Sequence, residues 1–300
     1  MAEVIRAEQL TKFYGKARGV IDVDFSVEQG EVLGFLGPNG AGKTTTIRLL
    51  LDLIRPSEGR ITVFGLDAQQ KGVEIRRRLG YLTGDLRLYE RMTGRDLLTY
   101  FAHLRRLDGA ASADRLAERL DLDLDRRLKE LSRGNRQKVG LIQAFMHDPD
   151  LLVLDEPTSG LDPLVQESFY ELVAEATARG GTVFLSSHVL SEVQRVADRV
   201  ALIREGRLQL VDRVESIRAR AFTRVEATFS EPPPAEAFTG LPGVRELGRH
   251  GDVARFAVEG EIDPLVKALA GFHVRALDVQ EADLEDIFMA LYRGDRPDAA

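Results

Sequence analysis

Gly37-Pro38-Asn39-Gly40-Ala41-Gly42-Lys43-Thr44 is the stretch whose reading decides the fold. It fits the pattern G-x-x-x-x-G-K-[ST], in which glycines let the backbone curl until successive N–H groups point at one anion. Working outward, Val32-Leu33-Gly34-Phe35-Leu36 reads as a buried strand. Thr45 to Ile54 reads as a helix, closed by Arg55-Pro56-Ser57-Glu58-Gly59. A strand, a glycine turn and a helix in that order form the setting a phosphate-binding loop requires, with the positive end of the helix added to the anion site. Lys43 is then placed to reach the β- and γ-phosphates of a nucleotide, and the Thr44 hydroxyl to ligate Mg²⁺. Thr45 joins the same set as the first residue of the helix. The plainer reading is a glycine turn beside an exposed lysine.

A second element points the same way. Leu151-Leu152-Val153-Leu154 is a strand-sized apolar run ending in Asp155 and Glu156. A strand beside a phosphate loop brings its terminal acid to the metal, so Asp155 is a candidate Mg²⁺ ligand through water. Glu156, one residue further, is placed to polarise an attacking water.

The rest of the chain sets bounds. Its 300 residues suffice for one large core or two ordinary domains, and 44% are hydrophobic against 30% charged. The net charge of −7 argues against a nucleic-acid binder, whose footprint is a basic domain. No cysteine is present, which excludes disulfides, thiolate metal sites and thiol catalysis. The N-terminus lacks the pattern of a signal peptide. The apolar runs are far short of the ~20 residues that cross a bilayer, so work at a membrane calls for another polypeptide.

Strand patterns at 3–10, 20–27, 60–66, 151–154, 182–185 and 200–203 alternate with helical ones, of which Leu164 to Arg179 is the clearest. This implies an α/β fold with a mainly parallel sheet, an antiparallel β subdomain and a helical insertion of three or four helices over about 85–147. Residues 220–300 read as a small separate α+β domain. It has strands at 225–230, 253–258 and 273–279, and helices at 263–270 and Ala282 to Tyr292.

Further motifs make the chain resemble the ATP-binding cassette family. Leu131-Ser132-Arg133-Gly134-Asn135 resembles its signature LSGGQ, Ser159-Gly160-Leu161-Asp162 its D-loop, His188 its switch histidine and Tyr14 the aromatic that stacks on adenine. The resemblance covers about 3–217, and gives domains 1–217 (the ATPase) and 220–300 (accessory). It implies ATP and Mg²⁺ as ligands, and Glu156 and His188 as catalytic residues. Ser132, Gly134, Asn135 and Asp162 would meet nucleotide held by a second copy in a head-to-tail homodimer. Ser132 can cap the helix through Arg136 to Met146, and Gly134 permits close approach of an oxyanion.

Three positions depart from the family. Gly84 stands where a glutamine usually contacts Mg²⁺ and the membrane partner, with Asp85 beside it as a substitute; Arg133 replaces the first signature glycine and Asn135 its glutamine. One cassette per chain, and a closing segment Leu284 to Tyr292 resembling the accessory domain of ABC-2 type exporters, imply an exporter subunit. Such a subunit would work with an integral membrane permease, from the cytoplasmic, inner face of the cell membrane. A soluble regulatory or assembly ATPase clamping a protein partner is the alternative, and an importer a third.

Overall fold

The computed structural model describes residues 2–107, 111–219, 223–234 and 236–280. The chain divides into two compact units, Met1–Asp212 and Arg213–Ala300. The helix expected at Ala282 to Tyr292 lies outside the described residues.

The first unit contains two sheets. Strands β1 (Glu3–Tyr14), β2 (Ala17–Glu28), β4 (Glu58–Val63) and β5 (Leu66–Asp67) form an antiparallel sheet in the order β2-β1-β4-β5. The second sheet has six strands: β3 (Val32–Leu36), β6 (Leu79–Leu82), β7 (Leu151–Asp155), β8 (Thr182–Ser187), β9 (Arg199–Arg204) and β10 (Arg207–Arg213). Their order is β10-β9-β3-β8-β7-β6, and β9, β3, β8, β7 and β6 run parallel. Every residue of β3, β7 and β8 is buried, as a parallel sheet covered on both faces demands.

Alternation along these strands sends Leu33, Phe35, Val153 and Phe184 into a core shared with the antiparallel sheet. Phe25 joins Phe35 and Phe184 there, with ring centroids 5.3–5.7 Å apart. The opposite face meets helix α7 (Leu190–Val196) so closely that a Cβ on Gly34 would lie 2.1 Å from Val193 Cγ1. Helix α1 (Lys43–Leu50) packs on β4 and β7, and α2 (Ala68–Arg77) on β4 and β5, its first turn capped by Asp67. The helical insertion comprises α3 (Gly94–Leu104), α4 (Ala111–Arg119) and α5 (Arg133–Phe145), with a 3-10 turn at Leu128–Glu130. Helix α6 (Pro163–Ala178) buries Phe169, Leu172, Val173 and Ala176, the face its sequence spacing gives.

The second unit opens with α8 (Val214–Ala219) and holds β11 (Thr223–Phe229), β12 (Val244–His250), β13 (Val253–Val258), α9 (Asp263–Leu269) and β14 (Val274–Gln280). All three strand pairs in the order β12-β13-β11-β14 are antiparallel. Leu265 and Leu269 of α9 share its core with Phe229, Phe238 and Phe256. Strand β12 was not expected from the sequence. It lies at the sheet edge with most of its residues exposed, so it lacks an apolar alternation to read.

Just beyond α5 the half-buried His147 reaches β6. It sets Nε2 3.2 Å from the Leu79 carbonyl, while its Nδ1 is buried with no partner among the described residues. Protonation would place an unpaired N–H there, and burial pushes the imidazole down to about 4, with Arg105 adding to the effect. The unfolded chain takes up this proton near ~6.5, so stability falls as pH drops from ~6.5 towards 4. Urea unfolding midpoints across that window are expected to fall more in the wild type than in His147→Gln. Parallel curves would remove His147 as a source of acid sensitivity.

Candidate functional site

The site is built at the carboxyl ends of β3, β7 and β8, where neighbouring parallel strands deliver consecutive segments to one edge. After β3 the chain turns through the glycine loop into α1. Two of its glycines are needed for different reasons. Gly42, at φ 115°, adopts a backbone that side chains avoid. Gly37 passes so close to β9 that a Cβ would lie 2.3 Å from the Ile203 carbonyl oxygen. Among the described residues no side chain caps α1, so the N–H groups of its first turn stay available to an anion.

Lys43 is 5% exposed and reaches back over the loop. Its Nζ donates to the Gly37 carbonyl at 2.6 Å and stands 3.1 Å from Glu156 Oε1. The other oxygen of Glu156 is 2.7 Å from His188 Nδ1. A buried ammonium, a carboxylate and an imidazole therefore form one chain of contacts. Asp155, 2% exposed, accepts from Thr44 Oγ1 at 2.9 Å through Oδ2 and from Ser186 Oγ at 2.5 Å through Oδ1. The backbone turns left-handed at Glu156, φ 51°, and its N–H donates to Ser186. That turn aims two consecutive carboxylates at different partners. Backbone of this kind costs of order 1 kcal/mol or more and persists where the surroundings fix it.

These groups border a cavity of about 400 Å³, lined by Tyr14, Pro38, Asn39, Gly40, Gly42, Lys43, Thr44, Thr45, Asp155 and Glu156. Arg18, Gly19, Arg48, Thr83, Gly84 and Asp85 complete the wall. Tyr14 ends β1, 45% exposed, with its ring beside Gly19. Ala41 is buried beneath the loop, its carbonyl accepting from the Gly206 N–H. A hydroxyl and a carboxylate side by side suit a hard cation that brings further oxygens with a phosphate, and Thr44 and Asp155 fit Mg²⁺ on that ground.

The signature residues lie outside this cavity. Ser132 caps α5, its Oγ accepting from the Asn135 N–H at 3.2 Å, and Asp162 caps α6 through the Val165 N–H. Gly134 packs closely within the chain as well: a Cβ there would lie 2.5 Å from the Gly160 carbonyl oxygen. Gly84 has a similar explanation: its Cβ would meet Asp155 Oδ2 at 3.3 Å, so a larger residue would push on the buried carboxylate. Asp85, in the same wall, is 74% exposed and paired with Arg87.

Two contributors were missed. Ser186 stands opposite Asp155 in the parallel register, a signal available from aligning the two strand ends. Gln137, 6% exposed, donates Nε2 to the carbonyls of Glu156 and Pro157 at 3.2 and 3.1 Å. In the sequence Gln137 is one of three polar residues, Arg136-Gln137-Lys138, and nothing there marks it as buried.

The glycine loop at the end of β3, with a buried lysine and the acids at the end of β7, defines an ATP-hydrolysing protein of the phosphate-loop class. The chain belongs to the ABC transporter family, whose profile matches residues 20–159. It is 33% identical to the bacitracin transport ATP-binding protein BcrA of Bacillus licheniformis, over 98% of this chain and 99% of that one. It is 32% identical to a fluoroquinolones export ATP-binding protein of Mycobacterium tuberculosis, over 96% and 92% of the two chains. Among solved structures, an ATP-binding subunit of an ABC transporter is similar at a TM-score of 0.66 and 30% identity, covering 72% of this chain and 92% of that one. The chain is thus an ATPase subunit of the transporter cassette type.

Gly134→Ala weighs two opposed effects. Alanine adds up to about 1 kcal/mol of helix propensity, while the clash with Gly160 costs roughly 1–3 kcal/mol. The clash is expected to win, lowering the urea midpoint and slowing hydrolysis together. A variant as stable and active as the wild type would show that the Gly160 contact yields freely.

Proposed function

We propose that this chain is the ATP-hydrolysing subunit of an ABC-2 type exporter, bound through a separate integral membrane permease to the cytoplasmic face of the cell membrane. The observation that carries this reading is the reach of the similarity. The two relatives, named for bacitracin transport and fluoroquinolone export, align along 98% and 96% of the chain, which takes in most of residues 220–300 as well as the cassette. Among the described residues no helix is long and apolar enough to cross a membrane, so a partner would have to supply the path.

Two copies work head to tail. The cavity beside Lys43 takes the triphosphate of ATP, with Tyr14 against the base and the loop N–H groups around the phosphates. Mg²⁺ held by Thr44 and Asp155 would offset charge on the phosphate oxygens. Ser132, Gly134 and Asn135 present the positive end of α5 to nucleotide on the other copy, with Asp162 at the same boundary. Lys43 leaves Glu156 for a phosphate oxygen. The freed carboxylate accepts a proton from water as the water oxygen attacks the terminal phosphorus and the bond to ADP breaks. His188 holds the orientation of Glu156 and reaches the phosphate. ATP closes the dimer and hydrolysis reopens it.

Glu156→Gln keeps the shape of the base and removes its basicity. It is expected to bind ATP, to dimerise on size exclusion and to turn over ~10²–10⁴-fold more slowly; hydrolysis near the wild-type rate would reject Glu156 as the base. Partner and location are tested by fractionation. Full-length tagged chain is expected in the membrane fraction with one polytopic protein, and in the soluble fraction once that protein is deleted. Purification with a soluble complex instead would favour the clamp on a protein partner.

A further inference from the structure

Arg133 replaces a glycine of the signature, and the sequence leaves its direction open. The structure supplies it. Its Nη2 donates to Ser159 Oγ at 3.0 Å, and its side-chain stem runs 3.7–3.8 Å from the position a Gly160 Cβ would take. Gly134, the next residue, lies against the Gly160 carbonyl, and Gln137, four residues after Arg133, holds the carbonyls of Glu156 and Pro157. Residues four apart share one helix face. The face of α5 bearing Arg133 and Gln137 is therefore fastened along the segment from Glu156 to Gly160.

We propose that Arg133 is a positioning residue that couples the two ATP sites of the dimer, by tying the signature turn to the segment that carries Glu156 in the same chain. The inference rests on the head-to-tail reading above. In that arrangement Ser132 reads nucleotide on the partner copy, whereas Glu156 acts on nucleotide held by its own chain. Ser132 is the cap of the helix turn that Arg133 begins. A shift of that turn when the partner's nucleotide arrives is carried through the bond to Ser159, and through Gln137, to the backbone of Glu156. Occupancy of one site thereby sets the alignment of the base in the other. A plain signature glycine at this position would leave Gln137 and the Gly134 contact without the guanidinium arm.

The test uses the full chain with Arg133→Gln, Arg133→Lys, Ser159→Ala and the Arg133→Gln/Ser159→Ala pair, each checked by circular dichroism melting. Hydrolysis is measured against ATP concentration, and the monomer's affinity for a fluorescent ATP analogue separately. With two sites the Hill coefficient of the wild type can reach about 2. Arg133→Gln and Ser159→Ala are each expected to bring it towards 1. Each should also lower kcat about three- to tenfold, the range one net hydrogen bond is worth, with monomer affinity within about a factor of two. The double variant is expected to match the singles, and Arg133→Lys to restore part of the cooperativity. A cooperative wild type with unchanged Hill coefficients in folded variants, or effects that add in the double variant, would overturn the coupling alone. A wild type without cooperativity, joined to a Glu156→Gln chain that ATP does not dimerise, would remove the dimer reading and this inference with it.

Discussion

The carboxylate of Asp155 is the point on which the geometry of the site depends. It is buried at the end of β7, with one oxygen on the Thr44 hydroxyl and the other on the Ser186 hydroxyl. A carboxylate buried without partners would cost several kcal/mol, while hydrogen bonds to a charged group return about 1.5–3 kcal/mol each. Both bonds are needed to offset burial, so the ends of β7 and β8 and the start of α1 are held in one arrangement. Glu156 and His188 inherit their places from it, as neighbours of Asp155 and Ser186. Groups fixed before a ligand arrives need little reorganisation when charge develops.

The sequence makes the local parts of this site plain and hides those that depend on distant packing. The glycine loop, the paired acids and His188 can be read because their spacing is local and chemically narrow. The buried strands can be read because a sheet covered on both sides selects mainly apolar residues, with the polar ones at the strand ends. Strands β1 and β2 run to 12 residues each, longer than expected. Left-handed residues at Gln9 and Asp22, with shifts in pairing register, interrupt the alternation that would have shown their length. Helix α1 begins at Lys43 rather than Thr45, since the loop and the helix share residues. The direction of Arg133 and the crowding at Gly134 were beyond reach for one reason. Both are set by Ser159 and Gly160, more than twenty residues away.

Gly84 shows how a departure from a family pattern acquires a physical meaning. A glutamine is usual there, yet the backbone of this loop runs one atom's width from Asp155. Backbone, rather than a side chain, forms that wall of the cavity. The adjoining acid, in the same wall, is paired with Arg87, which offsets its negative charge.

The contact between Lys43 and Glu156 has a consequence for the resting site. A cation already matched with an anion offers an incoming ligand only the difference between two partnerships. Under the proposed mechanism, a phosphate that draws Lys43 away collects that difference and frees Glu156 in the same movement. Until then the two oxygens of Glu156 are divided between the ammonium and the imidazole, so the resting site keeps that carboxylate engaged.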